Sequence, residues 1–350
     1  MYSTALLFTC VASIYVSFIY WSYLQEKLTS SNYSIDPINE TAFFHFPLII
    51  NIVQCIFCIV SGSIYLYSKI QLNNKSNKDE KKDKENIIMF FPSLSKKTIL
   101  TLYSISISQS ISAPLSYMSL DHVDYILYLL AKSCKLVPVM FVHYFAFGTI
   151  YPKYKYIVAF IITFGVTLFT IGGMKSKTKE ISEDGNILLG LTMLCISLLL
   201  DGFMNSAQDI IFKTNYKKLT GAHLMTYLNF FTMLNLTIYT IFMTSQFQNF
   251  ISFIKINGYF ALYDLIKFSL CGAVGQIFIF ITLEKFSSVV LVTVTVTRKM
   301  LSMALSVVLF GHVLNWKQWC GLILVFVGVG LESLIKIFQK KKPISNKKTE

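Results

Sequence analysis

Four cations stand where a chain of this composition can least accommodate them. Lys132 and Lys135 interrupt the apolar stretch 124–147, and Arg298 and Lys299 sit side by side within 286–311. Arg298 is the only arginine of the 350 residues; every other basic residue is a lysine. A charge near the middle of a membrane helix costs roughly 2.5–3.5 kcal/mol on insertion scales, so an anion must compensate. Tyr128, Lys132 and Lys135 fall at i, i+4 and i+7 and share a helical face. Thr295 and Lys299 share a face likewise, with Arg298 about 100° around the helix. A guanidinium grips phosphate oxygens bidentately, and ammonium groups act as mobile point charges. Pooled, the four would hold a phosphate-bearing ligand. The competing reading pairs the lysines with Glu26, Asp201, Asp209 or Glu284, or lets them snorkel to an interface. Lys132 and Lys135 lie too far from either helix end for the second.

The elements that must position these residues follow from hydropathy. Hydrophobic residues make up 54% of the chain and charged ones 14%, against about 25% charged in soluble domains. Apolar runs long enough to cross a bilayer recur throughout. Ten spans are expected at 4–24, 43–67, 98–119, 124–147, 154–174, 186–212, 223–247, 264–284, 287–311 and 318–338. The fold class is thus an all-α polytopic membrane protein. The first run lacks a basic leader and cleavage site and is read as a retained span. The connection 68–97, dense in Lys, Asn, Asp and Glu, is expected to be a disordered cytosolic loop.

The net charge of +13 does not point to nucleic acid, because most lysines flank spans. There they report orientation, and they place both termini in the cytosol. Lys175, Lys177 and Lys179 fit that orientation least well. Asn32 and Asn39 head glycosylation sequons in the first lumenal loop. The seven cysteines are scattered through apolar runs, and Cys55 with Cys58 reads as a pair of small packing residues. The five histidines (45, 122, 143, 223, 312) have no metal spacing. Neither metal nor cofactor is expected, and no paired acids or His-Asp constellation suggests an enzyme.

The spans divide into a first repeat at 1–175, a second at 186–338 and a basic cytosolic tail at 339–350. Sliding one half by 164 residues lays Lys135 on Lys299 and Ser133-Cys134-Lys135 over Thr297-Arg298-Lys299. Gln25-Glu26 near the end of the first span recurs as Gln208-Asp209 near the end of the sixth. With five spans each, the halves enter the membrane from opposite sides. Inverted repeats place a substrate near the midplane between them. Pro114, Pro138 and the glycines at 165, 172, 173, 272, 275, 321, 328 and 330 suit close helix packing.

Several segments carry a family resemblance: Ala-Lys-Ser-Cys-Lys-Leu-Val-Pro-Val-Met over 131–140, Asp201-Gly202 with Gln208-Asp209, and Thr-Val-Thr-Val-Thr-Arg-Lys-Met over 293–300. Ser-Val-Val-Leu-Phe-Gly over 306–311 and the Gln318-Trp319 to Gly330 segment extend it across essentially all ten spans. The chain resembles the nucleotide-sugar transporters of solute carrier family 35, B branch, which includes the endoplasmic-reticulum UDP-galactose transporter homologues. Its departures are Ala131 before the Lys-Ser-Cys-Lys run and the shifted Pro138. The resemblance implies a ten-helix drug/metabolite-transporter fold. It also implies exchange of UDP-galactose or UDP-glucose for UMP at the endoplasmic-reticulum membrane, with an ATP/ADP exchanger of the same fold as the alternative. By position, Lys132, Lys135, Arg298 and Lys299 would hold phosphates. Tyr128 could stack on a base, and Gln25, Glu26, Gln276 and Thr295 would join the cavity. Lys347 and Lys348, fourth and third from the C-terminus, resemble a dilysine retrieval signal read by coat protein. A homodimer is left open.

Overall fold

A computed structural model describes residues 4–35, 41–79, 95–133, 137–138, 140, 144, 152–177, 187–215, 219–285, 288–309 and 314–341. The described elements are helical: α1 (Thr4–Ser30), α2 (Pro47–Asp79), α3 (Lys96–Met118), a 3₁₀ turn (Ser119–Asp121) and α4 (Tyr125–Ser133). They continue as α5 (Lys153–Lys177), α6 (Ile187–Asn215), α7 (Gly221–Met243), α8 (Gln246–Asn257), α9 (Phe260–Lys285), α10 (Ser288–Leu309) and α11 (Trp316–Lys341). Each expected span overlaps one of these, the fourth only through Ser133; Cys134, Leu136 and Lys135 lie outside the described residues.

Among the described residues, five helices contain stretches long and apolar enough to cross a membrane by themselves: Ala5–Ser30, Pro47–Leu72, Lys153–Gly172, Ile187–Met204 and Phe260–Ile279. α3 falls short because it carries serine at nearly every other position from 104 to 112. Those hydroxyls cost little in an apolar setting, since Ser104, Ser108 and Ser110 each donate to the carbonyl four residues back, at 2.9, 3.1 and 2.8 Å. Pro114 lies inside α3. It lacks the N–H that would reach the Ser110 carbonyl.

Two expectations are corrected. The expected loop 68–97 is helical at both edges, because α2 runs on to Asp79 and α3 starts at Lys96. A helix already nucleated in the membrane propagates into water at little cost per residue, and Lys, Gln and Asn do not stop it. The remainder of that loop, 80–94, lies outside the described residues. The connection 248–263 holds a further helix, α8, whose 12 residues are too few for a span. Its Phe250, Phe253 and Ile254 instead pack against Phe44 and Phe46 before and at the edge of α2.

Packing is reciprocal. α1 contacts α9 and α10, α2 contacts α7 and α9, and α3 contacts α6 and α7; α5 pairs with α11, and α4 touches α6 and α10. The α5–α11 crossing is made by glycines. A Cβ on Gly321 would stand 2.5 Å from the Gly165 carbonyl oxygen and 2.7 Å from the Phe169 nitrogen, so the backbones approach closely, as small residues permit.

Two buried clusters close opposite ends of the bundle. One joins Leu24 and Leu28 of α1, Ile49 and Ile50 of α2 and Leu265 and Phe268 of α9. At that end the Lys27 ammonium lies 2.7 Å from Asp264 Oδ2, and the Tyr33 hydroxyl donates to the same oxygen at 3.2 Å. Burial and the Asp264 carboxylate both push the Tyr33 phenol well above its ordinary value, keeping it a donor. The other cluster joins Leu102 and Ile105 of α3, Ala207 and Ile211 of α6 and Leu224 and Leu228 of α7.

Candidate functional site

Between these ends lie two adjoining chambers. The first, about 260 Å³, is lined by Trp21, Ser22 and Gln25 of α1, by Tyr128 and Lys132 of α4, and by Arg298, Lys299 and Ser302 of α10. In each helix the residues recur at i and i+4, so one face of each turns to the same space. The second, about 240 Å³, is walled largely by amides and hydroxyls: Asn51 and Gln54 of α2, Gln109 and Ser112 of α3, Asn229 of α7 and Gln276 of α9. Tyr128 and Lys132 line both chambers.

Lys132 is engaged. Its ammonium lies 3.0 Å from Asp201 Oδ2 and donates to Ser197 Oγ at 3.1 Å, while Ser112 donates to the other carboxylate oxygen. The pairing of a lysine with an intramembrane acid is therefore realised here. An ammonium has three donors, so Lys132 keeps one beyond these two contacts. Arg298 differs. Its guanidinium lies over the Phe18 ring at 4.5 Å, and its buried Nε has no hydrogen-bond partner among the described residues. Trp21 Nε1 and Ser302 Oγ are buried and without partner in the same sense. All three side chains line the basic chamber. Buried donors are normally satisfied, and these three atoms are closed off from the open chamber although their side chains line it.

Aromatic and amide groups fix the α1–α4 seam. Tyr125 stacks on Tyr128 with centroids 5.8 Å apart. The Tyr125 hydroxyl meets Ser22 Oγ at 3.0 Å, the Ser22 carbonyl at 3.0 Å and Gln25 Oε1 at 3.2 Å, and Gln25 Nε2 donates to the Tyr128 hydroxyl at 3.3 Å. Tyr128 is thus already stacked and hydrogen-bonded. Glu26 is fully buried and accepts from Ser306 of α10. It lies beside the basic chamber without lining it. Asn51 and Asn229 donate their amide nitrogens to helix carbonyls at 2.7 and 2.6 Å, which leaves both amide oxygens for other donors.

Of the expected site residues, Lys132, Arg298, Lys299, Tyr128 and Gln25 come together in the basic chamber, and Gln276 lines the second. Thr295 lines neither, while Thr297, two residues on, hydrogen-bonds to Tyr15 of α1. Lys135 and the side chains of Asp209 and Glu284 lie outside what is described. Sequence reasoning missed Trp21, Ser22 and Ser302. Ser302 is four residues past Arg298, a spacing that could have flagged it. Two histidines passed over in the sequence have structural tasks. His223 caps α7, accepting from the Thr220 backbone N–H at 3.1 Å, and His45 lies 2.8 Å from Asp121. Cys58 packs with Met225 and Ala273, as the reading of small packing residues expects.

A helical membrane bundle enclosing a basic chamber joined to an amide-lined one has the form of a membrane transporter. The UAA transporter family profile matches residues 6–336, and the chain belongs to that family. It is a nucleotide-sugar transporter. It is 45% identical to the UDP-galactose transporter homolog 1 of Candida albicans over 96% of this chain and 91% of that protein. The proteins of the same name from Debaryomyces hansenii and Saccharomyces cerevisiae are 42% and 38% identical, covering 97% and 95% of this chain and 96% of each relative.

Proposed function

We propose that the chain exchanges UDP-galactose or UDP-glucose for UMP across the endoplasmic-reticulum membrane, with phosphates in the basic chamber and sugar hydroxyls in the amide chamber. The observation that carries this reading is the convergence of Lys132, Arg298 and Lys299, from two helices, on the wall of one chamber. The contiguous second chamber supplies acceptors and donors without further cations, which suits a neutral hexose. Charge supports the pairing of cargoes. Among the described residues lining the two chambers, the three cations Lys132, Arg298 and Lys299 outnumber the one acid, Asp201, by two, matching the two diphosphate charges of a UDP-sugar. UMP carries about −1.5 to −2 as a phosphate monoester. ADP and ATP exceed that balance, and the relatives' names favour neither.

The reciprocal packing supports two inverted five-helix repeats, α1–α5 against α6, α7, α9, α10 and α11. Numbered within its repeat, the largest contacts between the halves are mirrored: first with third prime (α1–α9) and third with first prime (α3–α6). The same holds for second with third prime (α2–α9) and third with second prime (α3–α7), while α2–α7 and α5–α11 map on themselves. Both termini then lie in the cytosol, with the C-terminal dilysine available to coat protein.

The test is transport by purified protein in proteoliposomes. Vesicles preloaded with UMP should take up labelled UDP-galactose or UDP-glucose several-fold faster than empty ones, and ADP should not substitute. Uptake indifferent to internal UMP would sink the exchange reading.

A further inference from the structure

Three glutamines reach the amide chamber from three helices: Gln54 of α2, Gln109 of α3 and Gln276 of α9. All three are half-buried, and among the described residues none of their carboxamides has a hydrogen-bond partner. Asn51 and Asn229 in the same walls differ, since each spends its amide nitrogen on a carbonyl four residues back in its own helix. The backbone holds the free amides around one space. In α2, Asn51, Gln54 and Cys58 fall at i, i+3 and i+7 and turn one face to the chamber, and in α3 Gln109, Ser112 and Ser116 do the same. α2 contacts both α3 and α9. A Cβ on Gly272 would stand 3.4 Å from Gln54 Nε2, and Gly272 lies one turn before Gln276. The Gln54 amide therefore rests against the turn of α9 that precedes the Gln276 amide.

Hydrogen-bonding capacity says what such a wall can read. Each carboxamide offers two N–H donors and a carbonyl with two lone pairs. Among the described residues that line this chamber Lys132 is the one cation, so a neutral group is the matching occupant. A uracil edge presents a single N–H between two carbonyls and would leave most of these groups unanswered. A hexosyl group beyond a diphosphate carries four hydroxyls, each able to donate once and accept twice. A planar amide spans two neighbouring hydroxyls, accepting from one and donating to the next. Resting on the assignment of the sugar to this chamber, we propose that Gln54 and Gln109, together with Gln276, determine selectivity for the hexosyl group, each amide bridging a pair of adjacent hydroxyls.

The experiment is titration calorimetry on the full chain in nanodiscs. The ligands are UMP, UDP-galactose, UDP-glucose and UDP-hexoses lacking one hydroxyl at C2, C3, C4 or C6. Gln54→Met and Gln109→Met keep the length of the side chain and remove its hydrogen bonds. Gln54→Ala and Gln109→Ala serve where a methionine variant fails to give helical, monodisperse protein. Each variant should bind UDP-hexose about five- to tenfold more weakly and UMP within about twofold of the parent. A structural role alone would not produce coupling. A hydroxyl whose removal costs the parent about fivefold should cost the matching variant less than about twofold, because its partner is already gone. Unchanged UDP-hexose affinity in either variant, equal loss for UMP, or undiminished deoxygenation penalties would overturn the proposal. A parent chain that binds UMP but no UDP-hexose would overturn the exchange reading as well, whereas a parent that binds UDP-hexose beside indifferent variants overturns this inference alone.

Discussion

Lys132 of α4 and Asp201 of α6 face one another at 3.0 Å on the boundary between the two chambers. Side chains at this contact retain about a fifth of their exposure, 22% and 19%, so the pair is reachable from the cavity. In the proposed site an incoming phosphate would share the ammonium with this carboxylate. Asp201→Asn keeps an acceptor for Ser112 while removing the competing charge. UMP should then bind about tenfold more tightly, and thermal stability should fall because Lys132 loses its partner. Titration calorimetry with scanning fluorimetry checks both. Weaker UMP binding by the variant would mean that Asp201 assists the ligand rather than competing with it.

Arg298 should not tolerate its nearest chemical relative. Arg298→Lys preserves charge but forfeits the planar fork and the stacking over Phe18. Transport of a UDP-sugar should drop about 10- to 100-fold, the worth of one or two charged hydrogen bonds. Initial rates in proteoliposomes measure it, and a variant as active as the parent would remove Arg298 from the site.

Separation of the chambers predicts separable defects. Gln276→Leu in the amide chamber should raise the KM for the UDP-sugar about tenfold while leaving UMP affinity unchanged, because UMP has no hexose to lodge there. Equal loss for both ligands would contradict the division.

The glycine crossing of α5 and α11 has an internal control. Gly321→Ala places a Cβ 2.5 Å from the Gly165 carbonyl oxygen, whereas a Cβ on Gly330 meets nothing within 4 Å. The first change should destabilise by about 1–3 kcal/mol, and the second should be neutral or slightly stabilising. Denaturation in mild detergent ranks them, and equal effects would contradict the close approach.

The His45–Asp121 contact gives a pH signature. Hydrogen bonding to Asp121 raises the His45 pKa above its ordinary value, against the opposing effect of burial. A raised histidine pKa contributes stability that is fully present below about 6.5 and is lost as pH rises through the raised folded value. Asp121→Asn should thus lower the melting temperature more at pH 5.5 than at pH 8.5. The effect should be small, because the side chains are 54% and 44% exposed. A pH-independent difference would show that the pair does not act through charge.

Much of the site was legible because cations inside apolar stretches violate hydropathy so strongly that Lys132, Arg298 and Lys299 announce themselves. Trp21 and Ser302 did not, since a tryptophan and a serine in a span are unremarkable until their hydrogen bonds can be counted. Asp201 was visible as one of four candidate acids; choosing it required knowing that α4 and α6 meet. Ten apolar runs could be marked from length alone, and each overlaps a described helix. The same criterion concealed α8, whose signal is an amphipathic 12-residue pattern, and the extension of α2 to Asp79, where hydropathy stops reporting on helix.

The two end clusters, one on α1, α2 and α9 and the other on α6, α7 and α3, occupy equivalent places in the proposed repeats. They are not equivalent in substance. Phe44, Phe46, Phe250 and Phe253 interlock around the first, and Lys27, Asp264 and Tyr33 tie it; the second is built of leucine, isoleucine and alanine side chains with Met204 and Tyr227 packed against it. Parting the first means exposing several aromatic rings and breaking a charged contact, whereas parting the second separates mainly alkyl side chains and the single ring of Tyr227. On the proposed exchange mechanism the two ends would act as a latch with unequal catches, and the stiffer catch would set which side of the membrane the resting transporter faces.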